Sequence, residues 1–153
     1  MILSAQSIRG RTGLLEPFHE RTVFRGMTFG LSPAGYDIRI AEDAVLRPGA
    51  FQLASSMERF AMPLDLIAFV KDKSTWARRG LFVQNTVIEP GWSGYLTLEL
   101  TSSASEPLEL NAGMPIAQIV FQLLDKPTDS PYRGKYQNQR SGPVPARLDP
   151  GCG

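Results

Sequence analysis

Glycine or proline interrupts nearly every apolar stretch of this chain. Fourteen glycines and twelve prolines are spread over 153 residues, so the uninterrupted segments are mostly strand-length and bounded by turns. Tyr36 to Ile40 alternates apolar and polar residues, as does Phe51 to Leu53. Tyr95 to Thr101 alternates most cleanly, with Leu96, Leu98 and Leu100 predicted on one face. Leu64 to Val70 is more continuously apolar, as a buried strand would be, and Pro115 to Leu124 gives a further strand. Turns are predicted at 32–35, 47–49, 89–91 and 111–113. The best helical piece is short: Ser74 or Thr75 would cap it, Trp76 to Arg79 would form its turns, and Gly80 would end it. A second candidate at 4–11 is kept brief by Gly10 and Gly13. The pattern predicts an all-β sandwich or barrel with one short helix. One domain suits the length. Its body is expected over 1–128, with an arm lacking a core of its own over 129–153, where the composition turns polar.

Several kinds of chemistry fall away on composition. A net charge of +1 argues against a polyanion-binding surface, so nucleic acid is not expected as a partner, whereas a small anionic ligand is allowed. No apolar run approaches the roughly 20 residues of a membrane span, and the first residues lack the pattern of a secretory signal, so a cytoplasmic protein is expected. Cys152 is the single cysteine and His19 the single histidine, which excludes an internal disulfide and a zinc site built from His and Cys. Zinc-dependent base deaminases use His-x-Glu and Pro-Cys-x-x-Cys motifs, and neither occurs here. His19 reads as a surface or capping residue.

Two segments concentrate the remaining chemistry. Lys73-Ser-Thr-Trp-Ala-Arg78 places hydroxyls and cations at a predicted helix start, where free N–H groups and the helix dipole favour an anion. Arg78 follows Ser74 by one helical turn, so both can face one ligand. The same residues also suit an ordinary capped surface helix. Glu99 closes the stretch from Pro90 and shares a predicted strand face with Tyr95, Thr97 and Thr101. Exposed, it is a solvated glutamate; covered, its pKa rises and it can both take and give a proton. Trp92 could cover a ligand or cap the sandwich, and Asp37 could pair with Arg39 along its own strand. The segment 132–139, rich in aromatics and hydrogen-bonding groups, could close over a ligand or dock on a neighbouring subunit.

Taken together, 34–39, 73–81, 88–99, 113–118 and 132–139 resemble, in order, the motifs of the dCTP deaminase branch of the dUTPase-like superfamily. The resemblance implies a distorted jelly roll assembled as a homotrimer, with active sites between subunits. It also implies a dCTP or dUTP ligand whose triphosphate carries Mg²⁺, no zinc, and no metal held directly by the protein. On the matching positions, Glu99 would be the general acid/base, with Ser74 and Arg78 positioning water and stabilising charge. Lys73, Thr75, Trp76 and Ala77 would join the ligand contacts, with Thr97 and Leu98 along the base and sugar. Glu89 stands where the family usually has an aspartate near the sugar. Gln118, Tyr132, Lys135 and Gln139 would bind phosphates and close the arm. Phe82 to Ile88 is about two residues shorter than in typical deaminases and is expected to decide base choice. The implied activity is deamination of dCTP to dUTP and ammonia. The alternatives are a dUTP diphosphatase, a bifunctional enzyme giving dUMP and pyrophosphate, or a non-catalytic nucleotide-sensing trimer.

Overall fold

A computed structural model describes residues 1–149; Cys152 and the rest of the Pro-Gly-Cys-Gly end lie outside the described residues. The elements run α1 (Ala5–Arg9), β1 (Leu15–Glu16), β2 (Thr22–Phe24), β3 (Met27–Ser32), β4 (Gly35–Arg39), β5 (Ala44–Leu46) and β6 (Phe51–Ala61). They continue with β7 (Leu66–Asp72), α2 (Ser74–Ala77), β8 (Leu81–Val83), β9 (Val87–Ile88), β10 (Ser93–Ser102), β11 (Leu108–Leu110) and β12 (Pro115–Leu123). The fold is thus mostly β, as expected, with two short helices rather than one. None of the helices is long and apolar enough to cross a membrane, among the described residues.

All the strand pairings are antiparallel, in a six-stranded sheet ordered β2-β3-β4-β12-β7-β9, a four-stranded sheet ordered β1-β6-β10-β8, and a small β11-β5 pair. Both large sheets feed one apolar core. Phe60, Leu98 and Leu100 enter it from the smaller sheet, and Ile38, Ala68, Ile119 and Phe121 from the larger one.

β6 is much longer than the alternation at 51–53 suggests. Beyond Leu53 its inward positions include Ser55, Ser56 and Glu58, all fully buried. Burial of such groups is tolerable only with partners. Ser55 Oγ donates to Glu42 Oε2 at 2.9 Å, and Ser56 Oγ donates to the Glu58 carbonyl at 2.7 Å. Glu58 takes the Arg39 side chain at 2.8 Å and the Arg39 amide at 2.9 Å. The expected Asp37–Arg39 pairing is therefore not formed. Arg39 goes to Glu58, and Asp37 accepts a hydrogen bond from Lys73 Nζ at 2.8 Å. Partners on other elements satisfy these charges where side chains two apart on one strand do not.

The helix cap also differs from expectation. Lys73, not Ser74 or Thr75, is the N-cap residue of α2, and no side chain caps it. With Lys73 extended and its ammonium held on Asp37, the backbone enters the helix one residue early. That frees the Ser74 and Thr75 hydroxyls from capping and leaves both residues exposed. Gly80 does follow the helix, at φ +87°. A Cβ there would lie 2.8 Å from the Ala104 nitrogen, so both the backbone angle and the space require glycine. His19 is half-buried and packs its ring edge-on against Phe29, with centroids 5.3 Å apart.

Candidate active site

β10 shapes the site through an irregularity. Its pairing with β6 shifts register between Tyr95 and Thr97, and the Leu96 amide at the shift donates to Ser56 Oγ at 2.9 Å. A β-bulge re-aims the side chains around it. Leu98 and Leu100 are fully buried, and Leu96 is half-buried: it packs against the core and also lines a cavity together with Thr97 and Glu99. The shift puts the extra residues on β6, where Arg59 to Ser55 spans four positions against the two from Tyr95 to Thr97.

The cavity measures about 570 Å³, within the range of small-molecule sites. Phe51 and Leu53 of β6 form one wall, the 85–89 segment another, and Trp92, Tyr132, Tyr136, Gln139 and 144–146 cover it. Trp92 caps the core and also borders the cavity. It is buried in the core beside Phe60, lines the cavity, and donates from its indole to the Tyr136 carbonyl at 2.8 Å.

Glu89 and Glu99 are the carboxylates of this lining. Burial pushes the Glu99 carboxyl above its ordinary range, and its side chain receives no hydrogen bond among the described residues. An acid with a raised folded-state pKa favours folding most while protonated. That contribution is full below the unfolded pKa and is lost as pH rises through the folded one. Glu99→Gln is therefore expected to melt above wild type at neutral pH, with the gap closing below the usual carboxylate range. Thermal melts across pH would check this, and a pH-independent gap would contradict it.

The segment after residue 128 lies across this site. The Tyr95 amide donates to the Gln139 carbonyl at 2.9 Å, and Thr97 Oγ1 accepts from Gln139 Nε2 and, at 3.1 Å, from the Val144 amide. Gln137 holds the Ser93 amide at 2.9 Å and the Gly91 carbonyl at 2.8 Å. The close approach needs Gly94, at φ +144°, where a Cβ would lie 2.6 Å from the Gln139 nitrogen. Gly94→Ala is expected to lift the arm and speed tryptic cleavage at the exposed Arg140; unchanged cleavage would place the anchorage elsewhere.

A profile of the dCTP deaminase-like family matches residues 36–124, most of the two sheets just described. The chain is also 33% identical to the dCTP deaminase of Acidobacterium capsulatum, over 87% of its own length and 91% of that protein.

The chain belongs to the dCTP deaminase-like family.

Solved structures of lower identity agree in fold. The 2'-deoxycytidine 5'-triphosphate deaminase of Agrobacterium tumefaciens matches with TM-score 0.66 and 22% identity, over 80% of this chain and 48% of that one. A dUTPase of Staphylococcus aureus phage phi11, described with a structural Mg(II) ion, matches with TM-score 0.58 and 17% identity, over 80% of this chain and 94% of that one.

Not all the positions matched to the family's motifs meet in this cavity. Glu89, Thr97, Glu99, Tyr132 and Gln139 line the cavity. Ser74, Thr75 and Arg78 are exposed on and beside α2 and do not line it. Ala77 is half-buried, while Trp76 and Leu98 are buried, with the Trp76 indole donating to the Pro115 carbonyl at 2.8 Å. Lys73 is held inside the fold by Asp37, Gln118 Nε2 donates to Ser32 Oγ at 2.9 Å, and Lys135 Nζ lies 3.1 Å from Asp149 Oδ2. Sequence reasoning did not single out Phe51, Leu53, Asn85 or 144–146. Asn85 lies in the 82–88 stretch expected to govern base choice, but its amide carries no periodic signal.

Proposed function

We propose that the protein is a dCTP deaminase, converting dCTP and water to dUTP and ammonia. The observation that carries this is Glu99, a half-buried carboxyl in a ligand-sized, largely apolar cavity, with its pKa raised by burial and no cation paired to it. Such a group is suited to accept a proton from water and deliver it again within one reaction cycle. Its carboxylate takes a proton as water oxygen bonds to C4 of cytosine. Protons then pass to the ring nitrogen and to the departing amino group, the C4–N bond breaks, and ammonia leaves.

Ser74 and Arg78 complete the reading as groups that hold the water and stabilise charge developing at C4. Their exposure, outside the cavity of their own protomer, supports a homotrimer in which they serve a neighbouring subunit's Glu99. Thr97 and Leu98 would lie along the base and sugar, with Glu89 at the sugar. Tyr132, Lys135, Gln139 and Gln118 would take the phosphates, and 129–149 would act as the closing arm. Mg²⁺ would be carried by the triphosphate oxygens of the nucleotide. When bound, the ion offsets phosphate charge. A cytoplasmic location goes with this reading.

A diphosphatase acting on dUTP is the second reading, favoured by Glu89 as another carboxylate on the same cavity. Incubation with dCTP or dUTP plus Mg²⁺, with ammonia and pyrophosphate assayed separately, decides between them. Ammonia from dCTP is expected. Pyrophosphate from dUTP without ammonia from dCTP would favour the second reading, and binding with neither product would indicate a nucleotide sensor.

A further inference from the structure

β8 stops pairing with β10 at Val83, opposite Leu100. One more main-chain bond follows, from the Gln84 amide to the Glu99 carbonyl at 2.8 Å, and then the chain leaves this sheet for β9 of the other one. Had the strand continued, its backbone would have met the Glu99 N–H and the Thr97 carbonyl. The Asn85 side chain meets both instead. Glu99 N–H donates to Asn85 Oδ1 at 3.0 Å, and Asn85 Nδ2 donates to the Thr97 carbonyl at 2.6 Å. A primary amide can make this substitution because it carries a donor and an acceptor side by side, as a peptide group does.

The substitution has two effects. The backbone after Gln84 is free to turn away, which leaves room for the cavity over Thr97 and Glu99. The stretch from Thr97 to Glu99 nonetheless stays fixed on both edges, by its ladder with Ser55, Ala54 and Leu53 of β6 on one side and by Asn85 on the other. We infer that Asn85 is a positioning residue, a side-chain splint that replaces the missing strand and fixes the backbone from which Glu99 reaches into the cavity. The inference rests on the deaminase reading for its kinetic consequence, but the splint can be measured without it.

Misplacement of a reacting group by about 1 Å can cost on the order of 100-fold in rate. Asn85→Ala is accordingly expected to lower kcat for ammonia release from dCTP by roughly 10–100-fold, with KM changed less than about threefold. Asn85→Asp keeps the acceptor for Glu99 N–H but loses the donor to Thr97, so its kcat should fall between Asn85→Ala and wild type. Thr101→Val, outside the 82–88 stretch, removes only the hydrogen bond from the Thr101 hydroxyl to Gln84 on the same strand edge and should keep wild-type kcat. In ligand-free protein, Asn85→Ala should speed exchange of the Glu99 amide proton and move the Glu99 carboxyl ¹³C resonance; Thr101→Val should do neither. A folded Asn85→Ala with wild-type kcat, an equal loss in Thr101→Val, or an effect confined to KM would overturn the inference. If Asn85→Ala does not fold, Asn85→Asp carries the comparison. If wild type releases no ammonia, the deaminase reading fails on its own, and the two NMR signals still decide the splint: unmoved signals refute it.

Discussion

Glu99→Gln should leave a protein that binds dCTP and cannot turn it over. Gln keeps nearly the shape of Glu but cannot take a proton from water. General acid–base groups contribute about 10²–10⁴-fold in rate. Because this one carboxyl is assigned successive proton transfers, kcat should fall by about 10³-fold or more. The nucleotide Kd should stay within about threefold, since the lost interaction belongs to the transition state. Ammonia release and equilibrium dCTP binding, measured on the same preparation, separate the two effects. A variant retaining more than about a tenth of wild-type kcat would remove Glu99 from its role. In the wild type, the acid limb of kcat/KM should lie above the ordinary carboxylate range, because the base works ionised and burial raises its pKa.

The second large effect is a gain. Subunits carrying Arg78→Ala and subunits carrying Glu99→Gln should each lose most activity alone and recover it when mixed. Arg78 is exposed and stands outside the cavity that Glu99 lines in the same protomer. If a site takes Glu99 from one subunit and Arg78 from the next, random mixed trimers contain intact pairs. About half the subunits supply each intact residue, so about a quarter of the sites should work. Co-expression with two affinity tags yields such mixtures. Mixed trimers without recovered activity would mean that both residues act from one subunit, or that Arg78 lies outside the site.

What could be read from the sequence depended on where each residue finds its partner. β10 and β12 were legible because apolar alternation or continuous apolarity follows from burial and needs no knowledge of neighbours. Most of β6 was not, because Ser55, Ser56 and Glu58 look like surface residues until Glu42, Arg39 and the Glu58 carbonyl are brought to them. The bulge opposite Leu96 was hidden for the same reason, since the Leu96 amide is satisfied by Ser56, far away in the chain. Lys73 read as a free cation, and only the fold brings Asp37 to its ammonium. The cavity residues on the recognisable motifs, Glu89, Thr97, Glu99, Tyr132 and Gln139, could be named in advance. Asn85 could not, because its function lies in replacing a strand, and a single polar residue in a turn gives no sign of that.

The buried polar row on β6 has a consequence for how the chain finds its native pairing. An apolar strand can slide two residues along its neighbour and still present an apolar face. This one cannot, because its polar groups are matched to partners at fixed positions on other elements: Ser55 to Glu42, Ser56 to the Leu96 amide, Glu58 to Arg39. Any slipped alignment would leave a carboxylate or hydroxyl in the core without a partner, at a cost of about 1–3 kcal/mol for each neutral group and more for the charge. Misaligned sheets are thereby rejected while the protein folds, and the strand that hydropathy conceals is the one that proofreads the others.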